Sequence, residues 1–159
     1  MVAPVLSVLV LVSFVIVSIL FTNFDCTVKN PSPGPNTIDG LSIVADGKSI
    51  KGDVRDASTV AAIQAVKETP RIVPHCHTVP VEGCSVQWEI EPTGLRCTVI
   101  VSTHWTTGVE MEALCGVSAG LLCAFDMLKS TEKDSNGQYL DTSIEGIRVL
   151  HKKKGEPHN

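Results

Sequence analysis

The sequence predicts an α+β protein in which helices pack on a mostly antiparallel sheet. Two observations carry this expectation. The stretches "CSVQWEIEP" and "LRCTVIVSTHW" alternate apolar and polar residues on either side of a short "PTG" turn, which is typical of an antiparallel hairpin. The stretch "GVEMEALCGVSAGLLCAFDMLKST" is apolar over most of a helical circumference, which indicates a long buried helix. The order helix, hairpin, long helix, strand favours helices layered on one sheet.

The first predicted helix lies in "GDVRDASTVAAIQAVKETP". Asp56 and Ser58 are both suited to cap its amino terminus, because their side-chain oxygens can accept a hydrogen bond from a free backbone N–H group. Pro70 closes the element, since proline cannot continue a helix. The apolar positions expected to face the core are Val60, Ile63 and Val66.

The hairpin, the long helix and the last strand follow in order. In the hairpin, Val86, Trp88 and Ile90 share one face. The long helix is predicted over residues 109–129. The stretch "EKDSNGQYLDT" is a loop with a turn at Asn136–Gly137, and "SIEGIRVLHK" is the last strand.

The amino-terminal segment stands apart from the rest of the chain. Residues 1–22 are apolar, without a charged side chain, and long enough to span a bilayer as a helix. They lack the basic start and small-residue cleavage site of a secretory signal, so we expect a membrane anchor, with a buried core helix or a foreign extension as alternatives. "NPSPGP" indicates a linker over residues 23–37. The globular domain is then expected over residues 38–154, followed by a flexible tail over 155–159.

Composition limits the class of protein. The 159 residues carry a net charge of −4, which does not suit a nucleic-acid-binding protein. The row Lys152–Lys154 is expected to be a solvated end, with a phosphate-contacting arm as the alternative. The six cysteines have neither a CxxC pair nor the spacing of a zinc module. We therefore expect buried free thiols in a reducing compartment, the cytoplasm, although the apolar first segment argues against it.

Charged residues mark both ends of the long helix. Glu110 and Glu112 begin it, while Asp126 and Lys129 end it as neighbours three positions apart. Glu112 and Asp126 lie within about 40° of one face but about 21 Å apart along the axis. Two antiparallel copies of the helix would bring Glu112 of one chain near Asp126 of the other, in a site shared across a two-fold axis. The alternative is that Glu112 and Lys129 only complement the helix dipole.

The stretch "PHCHT" concentrates three polar side chains. If the segment is extended, His75 and His77 point to one face and Cys76 to the other. With His104 as a third ligand they could hold a zinc ion, but the chain has no HExxH motif and no cysteine pair. Binding of an organic ligand by the imidazoles is favoured over metal, and ordinary strand-end histidines are the remaining alternative.

Lys51 precedes a glycine in "SIKGDV". A lysine in such a turn is usually solvated. If desolvated, it can contact phosphate or transfer protons. The glycine spacing is wrong for a P-loop.

Three stretches occur in the order and spacing of a known family. They are "KGDV", "AAIQAVKETPRIVPHCHTVPVEG" and "TTGVEMEALCGVSAGLLCAFDMLKS". Over about residues 50–154 the chain resembles the cyclic pyranopterin monophosphate synthases, the molybdenum cofactor biosynthesis protein C (MoaC) family. The resemblance implies a ferredoxin-like fold and a homohexamer of three dimers, with active sites at the dimer interface. It implies a lyase that converts a cyclic dihydroguanosine triphosphate into cyclic pyranopterin monophosphate and pyrophosphate. No cofactor is required, and magnesium can accompany the triphosphate.

The resemblance also implies roles for individual residues. Asp126 matches the active-site acid, and Lys51 and Lys129 match the catalytic lysines. A carboxylate beside lysines suits repeated proton transfer, and their positive charge suits the expulsion of pyrophosphate. The residues that match substrate-binding positions are His75, Cys76, His77, Glu110, Met111 and Glu112.

The chain departs from the family pattern at three places. His75 and Thr78 stand where the family has leucine and proline. Thr106 or Thr107 replaces a common lysine. The arginine that the family's amino terminus supplies to the triphosphate has no counterpart, because the first arginine here is Arg55. A membrane-tethered, catalytically weak relative that acts as a binding or scaffold module is therefore the alternative function.

Overall fold

The computed structural model describes residues 21–29, 40–47, 49–92, 94–105, 107–140 and 142–153 of the chain. Its strands are β1 (Phe21–Lys29), β2 (Gly83–Glu91), β3 (Gly94–Ser102) and β4 (Ser143–Lys153). Its helices are α1 (Gly40–Asp46), α2 (Val54–Lys67), α3 (Thr69–Ile72) and α4 (Glu110–Leu128). The strands form one antiparallel sheet in the order β2-β3-β1-β4. This arrangement is ferredoxin-like, so the predicted α+β fold is confirmed.

Strand β1 corrects the predicted division of the chain. Phe21 and Thr22 were assigned to the anchor and residues 23–29 to the linker, whereas the structure places all of them in a strand between β3 and β4. The missed signal is the alternation in "FTNFDCTVK", which has the period of a strand. The remainder of the predicted anchor and linker, and the tail over 155–159, lie outside the described residues.

The predicted hairpin is present, and it supplies much of the core. Strands β2 and β3 pair in continuous register, with Trp88 opposite Cys97. Every second residue of β3 is buried on the face that the helices cover, namely Leu95, Cys97, Val99 and Val101. Val86 and Trp88 pack against this core, whereas Ile90 at the end of the strand is 44% exposed.

The residue that caps α2 differs from the prediction. Asp53 is the N-cap, and its side chain accepts hydrogen bonds from the backbone N–H groups of Arg55 and Asp56. Neither Asp56 nor Ser58 can serve, because the helix already begins at Val54. Pro70 does not close α2 directly but lies in the first turn of α3, where its missing N–H group costs no hydrogen bond.

Helices α2 and α4 approach each other closely along a stripe of small residues. A Cβ atom at Gly116 would lie 2.6 Å from Cγ2 of Val66, and one at Gly120 would lie 3.2 Å from Cβ of Ala62. Ser58 and Ala62 are fully buried on this stripe of α2. The contact turns Val60 outward, where it is 65% exposed instead of facing the core as predicted.

Helix α4 is the central helix of the molecule. It matches the predicted span of 109–129 to within one residue at each end. Among the described residues it is also the one helix long and apolar enough to cross a membrane. Its buried residues, however, pack against α2 and the sheet, which gives its apolar character a role in the core.

The closest point between α2 and α4 yields a test of the packing. We expect Gly116→Ala to lower the free energy of unfolding by about 1–2 kcal/mol, because overpacking outweighs the higher helix propensity of alanine. The added methyl meets Val66, whose branched side chain has little freedom. Thermal and denaturant unfolding would measure the change.

Gly120→Ala is the matched control, because its methyl would make looser contacts, at 3.2 Å or more. It should change stability less than Gly116→Ala. Adding Val66→Ala should reduce the penalty at Gly116, since the two side chains are in contact. A Gly116→Ala variant as stable as the parent would contradict the proposed close contact.

Candidate active site

Three of the predicted site residues meet at the carboxyl-terminal end of α4. Nζ of Lys51 lies 2.7 Å from Oδ2 of Asp126, and Nζ of Lys129 lies 2.5 Å from Oδ1 of the same carboxylate. We call Lys51, Asp126 and Lys129 the acid–lysine cluster. Their side chains are about half exposed, so solvent and a ligand can reach them.

Lys51 reaches α4 from a tight turn. The N–H group of Gly52 donates to the carbonyl of Ser49 at 3.0 Å, and Gly52 has a φ of +103°, a conformation that favours glycine. From this turn the Lys51 ammonium also donates to the carbonyl oxygen of Asp126 at 2.9 Å. A cation is favoured there, because the last carbonyl groups of a helix carry partial negative charge.

The two lysines stabilise the ionised form of the Asp126 carboxyl. Hydrogen bonds from Lys129 and then Lys51 lower the pKa of Asp126 from 3.8 to about 2. The Asp126 carboxylate in turn raises the pKa of Lys129. At neutral pH the cluster therefore holds one carboxylate and two ammonium groups, a net charge of +1 that suits an anionic ligand.

A cavity of about 480 Å³ opens beside Lys51. It lies between α1, the turn that carries Lys51 and the last turn of α4. The residues that line it are Ser42, Ile43, Asp46, Ser49, Ile50, Lys51, Met127, Leu128, Ser130 and Thr131. Its walls are mostly apolar, so it offers space for an uncharged ring next to the charged cluster.

A second group of predicted residues meets at the opposite end of α4. Glu112 is 3% exposed, and burial, followed by the nearby Glu110, raises its pKa. Cys115, one turn further along α4, interacts electrostatically with both Glu112 and Cys76, and burial raises the pKa of its thiol. We call Cys76, Glu110, Glu112 and Cys115 the thiol–glutamate cluster.

The binding segment "PHCHT" is less regular than predicted. The N–H group of Cys76 donates to the carbonyl of Val73 at 2.9 Å, so His75 lies in a turn and not in an extended strand. The expected shared face for His75 and His77 is therefore wrong. Both imidazoles are exposed, whereas Cys76 is half-buried towards α4.

Lys152 is a site-bordering residue that sequence reasoning missed. It was assigned to a solvated end, but its ammonium forms an ion pair with the Glu110 carboxylate. The pairing of β4 with β1 places Lys152 opposite Thr22 and brings it to the start of α4. Nothing in the local pattern "HKKK" indicates this long-range contact.

The zinc interpretation lacks a ligand set in the part of the chain that the structure describes. No group of three or more histidine, cysteine, aspartate or glutamate side chains is placed there to hold a metal ion. His104, the proposed third ligand, is instead paired with Glu82 at the end of the hairpin. Cys76, Cys84, Cys97, Cys115 and Cys123 are free thiols, and Cys97 is the buried one of these five.

The two clusters are not brought together within one chain. They occupy opposite ends of α4, with about 21 Å of helix between Glu112 and Asp126. The outer face of α4 carries Leu122 between the clusters, 61% exposed, and Met111 within the thiol–glutamate end, 38% exposed. A ligand that needs both clusters must therefore bind where two copies of the chain meet.

The chain is similar to known proteins over most of its length. Residues 36–155 match the model of the MoaC family. A protein of Methanoregula boonei is 50% identical over 116 residues, covering 73% of this chain and 75% of the relative. A protein of Thermococcus kodakarensis is 47% identical over 122 residues, covering 77% and 76%. One of Aeropyrum pernix is 47% identical over 115 residues, covering 72% and 79%. Each is named a probable cyclic pyranopterin monophosphate synthase.

The lowered pKa of Asp126 can be measured directly. We expect the Asp126 carboxyl to titrate at about pH 2, and its pKa to rise towards 3.8 when a lysine is removed. Lys129→Met should raise it more than Lys51→Met, because the Lys129 hydrogen bond is the largest contribution. A carboxyl-detected NMR titration would measure both shifts.

The lowered pKa of Asp126 also determines how the stability of the protein depends on pH. Because the folded pKa is depressed, the stabilisation is present above pH 3.8 and is lost as pH falls towards 2. An Asp126 pKa that neither lysine substitution changes would contradict the cluster geometry.

Proposed function

The chain belongs to the MoaC family, and from this membership we propose that it is a cyclic pyranopterin monophosphate synthase. The enzyme converts (8S)-3',8-cyclo-7,8-dihydroguanosine 5'-triphosphate into cyclic pyranopterin monophosphate and releases pyrophosphate, in molybdenum cofactor biosynthesis. The observation that carries the proposal is the acid–lysine cluster, in which two lysines hold one ionised carboxylate. The scaffold alternative finds no support among the relatives compared.

The acid–lysine cluster supplies the proton transfers and the positive charge. Asp126 is ionised at neutral pH, because its pKa is about 2, and can accept a proton when substrate draws a lysine away from it. Lys51 and Lys129 carry protons that they can donate while the ring is rebuilt. The same ammonium groups stabilise the charge that develops as pyrophosphate leaves.

The thiol–glutamate cluster is assigned to substrate binding. The guanine-derived base presents N–H donors, and the buried Glu112 carboxylate is a strong acceptor for them. Met111 offers a partly exposed apolar side chain beside it. His75, Cys76 and His77 form the neighbouring segment, in which the half-buried Cys76 interacts electrostatically with Cys115 of α4. Lys152, paired with Glu110, adds a cation at this end.

The assembly that we propose is a homohexamer of three dimers. The two-fold axis of each dimer relates antiparallel α4 helices, so that the acid–lysine cluster of one chain faces the thiol–glutamate cluster of the other. The apolar outer face of α4 at Leu122 supports this arrangement, because a 61% exposed leucine gains from burial against a partner.

Cofactor and location follow from the chemistry of the substrate. No resident cofactor is proposed. Magnesium is expected to arrive on the triphosphate, since this ion is commonly bound through substrate phosphates. The substrate is a soluble nucleotide derivative, so the enzyme works in the cytoplasm. If the segment before β1 tethers the protein, the catalytic domain lies on the cytoplasmic side of the membrane. Fractionation of cells would test whether the protein is membrane-bound.

The activity is tested by pyrophosphate release. We expect the full chain to release pyrophosphate from the cyclic triphosphate, and Asp126→Asn to lower kcat by about a hundredfold or more, since a general base contributes about 10²–10⁴. Asp56→Asn is the matched control, because Asp56 is exposed and lies outside both clusters. A folded parent that releases no pyrophosphate would refute the proposed function.

The shared site makes a quantitative prediction for mixed oligomers. Glu112→Gln and Asp126→Asn chains should each be nearly inactive alone. If each site combines the two clusters from different chains, random mixing restores about a quarter of the parent activity, because half the dimers are mixed and one of their two sites is intact. Co-expression with two affinity tags and a pyrophosphate assay would measure it.

Mixing Asp126→Asn with Lys129→Met is the control for this experiment. Both substitutions fall in the same cluster, so every site of a mixed dimer keeps one of them and activity is not restored. If purified mixed oligomers of the Glu112→Gln and Asp126→Asn chains regain no activity, the whole site lies within one chain.

A further inference from the structure

We propose that Tyr139 is a positioning residue for the reaction. Its ring packs on Phe125, borders one side of Lys129 and thereby holds that lysine against Asp126. The inference rests on the proposed function, because it concerns how the acid–lysine cluster is kept ready for catalysis. Tyr139 belongs to the loop between α4 and β4, which the sequence had indicated only as a turn-containing connection.

The contact between Tyr139 and α4 is an aromatic pair. The ring centroids of Phe125 and Tyr139 lie 5.3 Å apart, with the ring planes tilted by 54°. Phe125 and Lys129 are four positions apart on the helix and are therefore neighbours on its surface. A ring fixed on Phe125 therefore lies near Lys129, the residue that forms the ion pair with Asp126.

Hydrogen bonds within the loop fix the turn that precedes Tyr139. The side chain of Asp134 accepts hydrogen bonds from the N–H groups of Asn136 and Gln138, at 2.8 Å and 2.7 Å. The N–H group of Asp134 donates to the carbonyl of Gln138 at 3.0 Å, and Gly137 adopts a φ of +77° between them. This closed turn ends immediately before Tyr139. The ring is half-buried against the helix, whereas Leu140 beside it is 78% exposed.

Two lysine side chains lie near the Tyr139 ring. Nζ of Lys133 lies 5.7 Å from the Tyr139 centroid, within the range of a cation–π interaction. Tyr139 also contributes to the raised pKa of Lys129, after the dominant effect of Asp126, which indicates that its hydroxyl lies in the vicinity of the Lys129 amine. Tyr139 thus lies near two lysines, and its removal would leave Lys129 without this neighbour.

The test compares two substitutions of Tyr139 in the full chain. Tyr139→Ala should lower kcat per folded protomer by about tenfold to a hundredfold, since a small displacement of a reacting group can cost that much. Tyr139→Phe keeps the ring and should restore most of the activity. Leu140→Ala, a neighbouring exposed apolar residue, is the matched control and should retain the parent kcat.

A second readout separates positioning from mere folding. Acetylation of Lys129 by acetic anhydride, followed by peptide mass spectrometry, reports how freely its amine is presented. Tyr139→Ala should accelerate acetylation of Lys129 relative to Lys153, while Tyr139→Phe should not. If Tyr139→Ala fails to fold, Tyr139→Leu takes its place, because it keeps apolar bulk without the aromatic face.

The outcomes are distinguishable. Parent-like kcat in the alanine or leucine variant, or a lower kcat without faster Lys129 acetylation, overturns the proposal. If the parent itself releases no pyrophosphate, the proposed function fails. The acetylation comparison then decides alone whether Tyr139 holds Lys129.

Discussion

The close contact between α2 and α4 is the constraint on which the site depends. Gly116 and Gly120 let the helices approach until Ala62 and Val66 fill the space that side chains on α4 would otherwise occupy. This contact and the sheet fix the middle of α4, and both clusters project from its ends. Because packed interiors tolerate little change in volume, a shift at the middle would displace both clusters at once.

The two ends of α4 differ in electrostatic environment. At one end Asp126 is exposed and ionised between two ammonium groups. At the other Glu112 is nearly fully buried, and burial raises its pKa. The exposed end suits the binding and release of charged phosphate groups, whereas the buried end suits hydrogen bonding to a flat base held in one orientation. The division follows from the helix itself, whose apolar middle allows charge only at its termini.

Local patterns predicted the hairpin, the span of α4 and the turn before Gly137, because each depends on residues close in sequence. The Asp126–Lys129 pair was predicted for the same reason. The family resemblance assigned Lys51 and Asp126 to the active site, but only the structure shows their contact, because the two residues are far apart in sequence. Neither route found Lys152 beside Glu110, because that contact depends on strand register. The N-cap at Asp53 was missed because helix boundaries are the least certain feature of a pattern.

The position of β1 has a consequence for how the protein can be shortened. Strand β4 is hydrogen-bonded to β1 alone in the sheet order, and β1 separates it from β3. A fragment that begins at residue 38 would therefore leave an open slot in the middle of the sheet, with unpaired backbone groups along two strands. Such edges recruit other chains and promote aggregation. A soluble truncation must keep the strand that starts at Phe21, so its boundary lies at the end of the apolar segment and not after the proline-rich one.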